Sequence, residues 1–247
     1  MDLSNARAIV TGGASGLGAA TAELFRQRGA QVTVLDRDEA GQAAANAIGA
    51  HFARTDVTDE ASVAAAIALA VERMGGIDIC VNCAGVATAG KTLGREGPLA
   101  LDSFRRVIEI NLIGSFNVLR LAAAEMAKNG REENGVIVNT ASVAAFDGQA
   151  GQAAYAASKA AIAGMNLPIA RDLARNNIRI CAIAPGIFGT PMLRGLPQEV
   201  QDSLAAEVTN PKRLGDPAEY ARLAAFIVEN GYMNGETIRI DGALRMR

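Results

Sequence analysis

The chain has 247 residues, half of them hydrophobic, and a net charge of −2. That length suits one α/β domain with a large core, and the balanced charge offers no basic surface for nucleic acid. No apolar run reads as a membrane span, and the first strand opens so soon after Met1 that a signal or transit peptide has no room. The expectation is a cytoplasmic protein acting on a small molecule, with no membrane or nucleic-acid partner.

In chain order, Ala8-Ile9-Val10 reads as a buried strand near 7–11. It runs into Thr11-Gly12-Gly13-Ala14-Ser15-Gly16-Leu17-Gly18 and then a helix over 16–28, with Gly29 as its end. A strand over 31–36 follows and closes on Asp36. A glycine turn between strand and helix lets the backbone approach a pyrophosphate, and the helix N-terminus offers free N–H groups. Asp36 lies 20 residues after Gly16, where an acid can hold a ribose hydroxyl. The spacing is Gly-x-x-x-Gly-x-Gly, so the flanking strands and the placed acid carry the reading rather than the glycines alone.

Next come a helix over 38–48, a strand over 50–54 leading to Asp56-Val57, a helix over 59–74 and a strand over 77–82. The last runs into Asn82-Cys83-Ala84-Gly85. Cys80 and Cys83 spell C-x-x-C, but Cys181 and His51 complete no zinc set. Residues three apart on a strand also face opposite sides, so no metal or disulfide is expected. The stretch 86–100 is irregular, with Gly90, Gly94, Gly97, Pro98 and the cations Lys91 and Arg95.

A helix over 101–129 and a strand over 135–140 lead to Ser142. The helix over 153–175 carries Tyr155 and Lys159. Positions i and i+4 share a helix face, so phenol and ammonium can point into one site. A phenol titrates near ~10 and a nearby cation favours its ionised form. The pair therefore reads as a proton donor and acceptor tuned by the lysine. A strand over 178–183 ends near Pro185-Gly186. The proline-rich stretch 184–215, with apolar Ile187, Phe188, Met192, Leu193 and Leu196, reads either as a substrate lid or as a subunit contact. Helices over 198–207 and 216–229 and a strand over 236–240 complete the chain.

Repeated alternation predicts an α/β fold over 1–247: a single-domain, Rossmann-type, doubly wound parallel sheet of about seven strands with helices on both faces. Such sheets bind ligands outside the C-terminal strand ends. The glycine turn, Asp36, Asp56-Val57, Asn82 to Gly85, Ser142 and Pro185-Gly186 all fall there.

Taken together, Thr11 to Gly18, Asn82 to Gly85, Asn111, Ser142, Tyr155-x-x-x-Lys159 and Pro185-Gly186 resemble the short-chain dehydrogenase/reductase family over essentially the whole chain. Longer strings, among them Asn139 to Phe146, Gly151 to Tyr155, Leu167 to Ala174 and Arg213 to Tyr220, are similar to the branch of that family acting on 3-hydroxyacyl-CoA.

The resemblance implies a catalytic set. Tyr155 would exchange the proton of the substrate oxygen, and Lys159 would lower its pKa and hold the nicotinamide ribose. Ser142 would bond the substrate oxygen, and Asn111 would anchor a proton-relaying water. It also implies NAD as cofactor. Gly12, Ser15, Gly16, Leu17 and Gly18 would lie along it, Asp36 at the adenosine ribose and Asp56 with Val57 at the adenine. Asn82, Cys83, Ala84 and Gly85 would form its wall, and Pro185, Gly186, Phe188 and Thr190 would close on the nicotinamide. Gln149 would face the substrate beside Ser142 and Tyr155. Arg37 could help a 2′-phosphate bind, but Asp36 would repel it at close range, which favours NAD.

The implied reaction interconverts a secondary alcohol and a ketone, with (S)-3-hydroxyacyl-CoA and 3-oxoacyl-CoA of short or branched chain as the leading pair. The implied assembly is a homotetramer. The 86–100 stretch is about two residues shorter than in animal members of that branch. A broad alcohol dehydrogenase for hydroxysteroid, aryl or terpenoid alcohols is the alternative enzyme. A cofactor-binding protein with a structural or regulatory role is the alternative of another class.

Overall fold

The computed structural model describes residues 1–246. Its strands are β1 (Arg7–Thr11), β2 (Gln31–Asp36), β3 (His51–Arg54), β4 (Ile79–Asn82), β5 (Leu93–Gly94), β6 (Gly97–Pro98), β7 (Gly135–Thr140), β8 (Ile178–Pro185) and β9 (Thr237–Ile240). The helices are α1 (Gly16–Gln27), α2 (Gly41–Ala47), α3 (Glu60–Met74), α4 (Leu101–Ile108), α5 (Gly114–Met126), α6 (Ala153–Leu173), α7 (Pro191–Arg194), α8 (Gln198–Glu207) and α9 (Pro217–Glu229).

Seven strands form one sheet in the order β3-β2-β1-β4-β7-β8-β9, every neighbouring pair parallel. The order reverses direction between β1 and β4, so the loops after these two strands diverge and leave a crevice at their C-terminal ends. Strands covered on both faces read as continuous apolar runs, and every residue of β4, β7 and β8 is buried. Alternation then sorts the side chains into two layers. Ile79 and Val81 face the layer that contains Phe25 and Tyr220, while Cys80 faces the layer that contains Val118 and Met126. Cys83 packs against the first layer, so the two cysteines of C-x-x-C lie on opposite faces as expected.

Local chemistry sets the helix ends. The Asp59 carboxylate accepts from Ala61 N and Ser62 N at the start of α3, and Gly75 ends it in the left-handed region. Asp216 and Glu219 form a reciprocal capping box at the start of α9, with Pro217 in its first turn.

Three elements depart from the sequence reading. The expected single helix over 101–129 is interrupted by a π turn, Glu109–Ile113, between α4 and α5. The stretch 86–100 contains the small β5–β6 hairpin, and a short α7 precedes α8. The expectation that no stretch resembles a membrane span also needs correction: Leu101–Met126 has the length for one and a mean hydropathy of 1.4. The reason is its place in the fold. Half of that apolar window is buried, with Val118, Leu119, Ala122 and Met126 packed into the second layer beneath the sheet.

Candidate active site

The crevice begins at the turn between β1 and α1. Gly12 has φ of +62°, and a Cβ there would lie 2.8 Å from Ala84 N. A Cβ on Gly18 would collide with the Gly12 carbonyl. Only glycine lets the start of α1 come this close to the turn and to the loop after β4. Ser15 stands at the N-cap in extended conformation, but its hydroxyl makes no capping bond, and the first turn of α1 holds no acidic residue. The first N–H groups of α1 and an exposed hydroxyl therefore face one concavity, with the positive end of the helix dipole behind them. This donor set fits a pyrophosphate. Leu17 is half-buried against the first layer, and Gly16, at φ +55°, sits under Thr190.

Asp36 ends β2, where its carboxylate accepts from Ala14 N and Asp38 N, each at 3.1 Å. It thus ties the glycine turn to the next strand end. Beyond β3, Asp56 accepts from Thr58 N and Oγ1, and these bonds hold its carboxyl below the usual range. Asn117 Nδ2 donates to Val57 O at 3.0 Å, which fixes the buried Val57 against α5.

A chain of buried side chains crosses beneath the crevice. Asn82 Nδ2 donates to Asn139 Oδ1 at 3.0 Å, Asn139 Nδ2 to Asn166 Oδ1 at 3.2 Å, and Asn166 Nδ2 to Thr237 Oγ1 at 3.3 Å. It joins β4, β7, α6 and β9. Thr11 Oγ1 accepts from Cys83 N and Ala84 N, both at 3.1 Å, which holds the loop from Cys83 to Gly85 against the end of β1.

Tyr155 and Lys159 do share a face of α6. Lys159 is buried, and its Nζ donates to Thr140 O at 2.7 Å and lies 5.8 Å from the centre of the Tyr155 ring. Ser142 follows β7 in extended conformation, and its Oγ accepts from Ala144 N at 3.1 Å. Burial pushes the Tyr155 phenol up, and the Ser142 hydroxyl beside it pulls it partly back. Burial likewise pushes the Lys159 ammonium down to about 8.

Asn111 lies in the π turn. Its carboxamide accepts from Val86 N at 2.8 Å and donates to Val86 O and Ser158 Oγ, both at 3.0 Å. Its carbonyl accepts from Ser115 Oγ at 2.7 Å. The side chain thus clamps the loop after β4 to α6, and a Cβ on Gly85 would sit 3.1 Å from Asn111 Oδ1 and 3.6 Å from Lys159 Nζ.

At the far wall, Pro185 ends β8 and Gly186 N donates to Ile240 O at 2.9 Å. Thr190 precedes α7 and overhangs Gly16. The Phe188 ring is buried in the first layer and packs against Gly215. Gln149 is half-buried in the loop before α6, where its N–H donates to Gln152 Oε1 at 3.0 Å. A separate cleft of about 370 Å³ lies between Arg194, Arg213, Glu219 and Arg222, and neither Ser142, Tyr155 nor Lys159 lines it.

The sequence motifs contain Thr11, Asn139 and Thr140 but give them no role of their own. The signal was present: each is a polar residue at or next to the C-terminal end of an otherwise apolar strand.

A doubly wound sheet, a glycine turn aimed at a helix N-terminus and a Ser142–Tyr155–Lys159 cluster beside it define a nicotinamide-dependent oxidoreductase. The chain belongs to the short-chain dehydrogenase/reductase family. The matching family model, described as enoyl-(acyl carrier protein) reductase, spans residues 12–244. The chain is 54% identical to the 3-hydroxyacyl-CoA dehydrogenase type-2 of Bos taurus, over 97% of this chain and 95% of that one. The Drosophila melanogaster protein of the same name is 54% identical over 99% of both chains. The crystal structure of 3-hydroxyacyl-CoA dehydrogenase type-2 from Mycobacterium avium superposes with a TM-score of 0.94, at 42% identity, covering 98% of this chain and 97% of that one.

Proposed function

We propose that the protein is an NAD-dependent dehydrogenase that interconverts (S)-3-hydroxyacyl-CoA and 3-oxoacyl-CoA of short or branched chain. The observation that carries this is the cluster of Ser142, Tyr155 and Lys159 within reach of the glycine turn, in a chain over half identical to relatives bearing that enzyme's name.

When bound, the nicotinamide accepts or returns the hydride and in its oxidised form brings a positive charge. The protein's own residues do the rest. Ser142 Oγ orients the substrate oxygen. Tyr155 Oη takes the hydroxyl proton in oxidation and returns it in reduction. Lys159, seated on Thr140 O, holds the ribose and passes the proton outward past Asn111. Ser15 and the α1 N-terminus hold the pyrophosphate. Asp36 accepts from the adenosine ribose and disfavours a 2′-phosphate, since two like charges in contact repel strongly outside bulk water. Residues 184–215 form the lid, and Gln149 lies at the substrate mouth.

A second reading, a broader alcohol dehydrogenase, draws on the 38% identity to cis-4-hydroxycyclohexanecarboxylate dehydrogenase of Sinomonas cyclohexanicum. NADH formation from 3-hydroxybutyryl-CoA, set against a panel of cyclic, aryl and steroid alcohols, separates the two. A kcat/KM for the thioester at least tenfold above every simple alcohol is expected, and the reverse order overturns the acyl-CoA assignment. The same reading places the protein in the cytoplasm as a homotetramer, with exposed Ile113, Phe116, Leu167 and Phe226 as interface residues. Light scattering of the purified protein tests the assembly.

A further inference from the structure

Tyr220 is a fully buried residue of α9, in the apolar layer that also holds Phe25, on the other side of the sheet from α5. A tyrosine in such a place can be a packing residue and nothing more. Its hydroxyl, however, reaches the end of the sheet. It lies 2.7 Å from Thr140 Oγ1 and 3.6 Å from Cys83 Sγ. Thr140 Oγ1 donates to Asn82 O at 2.5 Å, so in this pair Tyr220 is the donor and Thr140 the acceptor. The carbonyl of the same Thr140 accepts from Lys159 Nζ at 2.7 Å. One phenol thus grips the ends of β4 and β7 at the residue on which Lys159 rests.

We propose that Tyr220 is a positioning residue for Lys159: its hydroxyl fixes Thr140, and with it the carbonyl that seats the Lys159 ammonium. The proposal rests on the reading of Lys159 as part of the catalytic set. Its consequence follows from the sign of the interaction. A hydrogen bond to the charged form favours that form, so a loosened Thr140 carbonyl lets the ammonium shed its proton more readily. Lys159 has little margin, because burial already pushes it to about 8. The titratable groups facing it are Tyr155 from α6 and Cys83 from the end of β4, with Tyr220 behind Thr140. Burial pushes both phenols and the thiol up, and of these groups only Cys83 acts to raise Lys159, more weakly than burial lowers it.

Tyr220→Phe tests this, since it removes the hydroxyl and keeps the ring. The Lys159 ammonium is followed by lysine side-chain NMR in the protein without added cofactor, with exposed Lys91, Lys128 and Lys212 as internal references. The Lys159 midpoint is expected to fall. kcat for alcohol oxidation is expected to drop about two- to tenfold, the size of one lost hydrogen bond, while the Kd for NADH by fluorescence stays within about twofold. An unmoved midpoint and kcat, with only a lower Tm, would make Tyr220 a packing residue and overturn the proposal. Thr140→Val supplies the second arm. Alone it should lower the Lys159 midpoint in the same direction, and in its background Tyr220→Phe should cost no further activity. Multiplying losses would show that Tyr220 does not act through Thr140. If no alcohol is turned over, the functional reading fails, and the Lys159 titration still decides this proposal.

Discussion

The floor of the crevice and its rim are built by different physics. The floor, from Thr11 through Asn82, Thr140 and Lys159 to Asn111, is buried and joined by hydrogen bonds that span 19 to 80 residues of sequence. Every polar group there has a partner, and among the described residues no buried side-chain nitrogen or oxygen is left without one. The rim, formed by the β5–β6 hairpin and the segment from Ile187 to Gly215, exposes Leu93, Leu196 and Val200. Its ties to the frame include Gly90 N to Gly151 O at 2.8 Å, Asn210 N to Gly242 O at 3.1 Å and Arg213 to Glu219. A floor that must hold a proton donor within a fraction of an ångström needs a satisfied polar network, because each unpaired buried group costs about 1–3 kcal/mol. A rim that admits a flexible acyl chain needs apolar surface and little rigidity.

The difference sets the order of expected effects. Tyr155→Phe strikes the floor. It should lower kcat by about 10²–10⁴ while NADH still binds, as fluorescence titration beside steady-state kinetics would record. Near-normal turnover would mean that the floor is not where the chemistry occurs. Asp36→Ala comes next. With its carboxylate gone, the preference for NAD over NADP, measured as a ratio of kcat/KM values, should shrink about ten- to a hundredfold. An unchanged ratio would take the ribose away from the end of β2.

Leu196→Ala, on the rim, should behave differently in kind. Leu196 is 40% exposed, so Tm should stay within about 2 °C of wild type. KM for a branched acyl-CoA should rise about two- to fivefold with kcat unchanged, the pattern of lost uniform binding. A fall in kcat instead would mean that the rim takes part in organising the floor.

The same division explains what the sequence made legible. The doubly wound parallel sheet follows from alternating strand and helix patterns, and the crevice from where Gly12, Asp36, Asn82 and Ser142 fall along them. Those signals are local in the chain. Tyr220 was not legible because nothing near it in sequence points to Thr140, 80 residues away; only the packing of α9 brings them together. The π turn around Asn111 was hidden for a related reason, since its apolar periodicity continues that of α4 and α5. The depth of Lys159 escaped as well, because spacing gives the i,i+4 face but not the burial that pushes the ammonium down. On the rim, the β5–β6 hairpin lacks the alternating apolar pattern that marks a strand, and only Leu93 and Leu99 offer apolar side chains there.

The smallest expected effect lies where rim meets frame. Arg213 bonds both oxygens of Glu219 at 2.8 Å, and Glu219 Oε2 also accepts from Asp216 N at 2.8 Å in the capping box of α9. These partners hold the Glu219 carboxyl at about 2, below its usual range. A carboxyl whose pKa is lower folded than unfolded stabilises the fold above its unfolded value, and that stability disappears as pH falls through the folded value. Glu219→Gln keeps an acceptor for the Asp216 N–H but removes the charge, and the pair is partly open to water, so the loss at pH 7 should be within about 1 kcal/mol and smaller in high salt. The gap in stability between wild type and Glu219→Gln, read from urea unfolding, should stay level above pH ~5 and narrow towards zero as pH approaches about 2. A gap that persists at the acid end would trace the loss to the amide's geometry in the capping box rather than to the ion pair, and the rim would then be anchored by shape instead of charge.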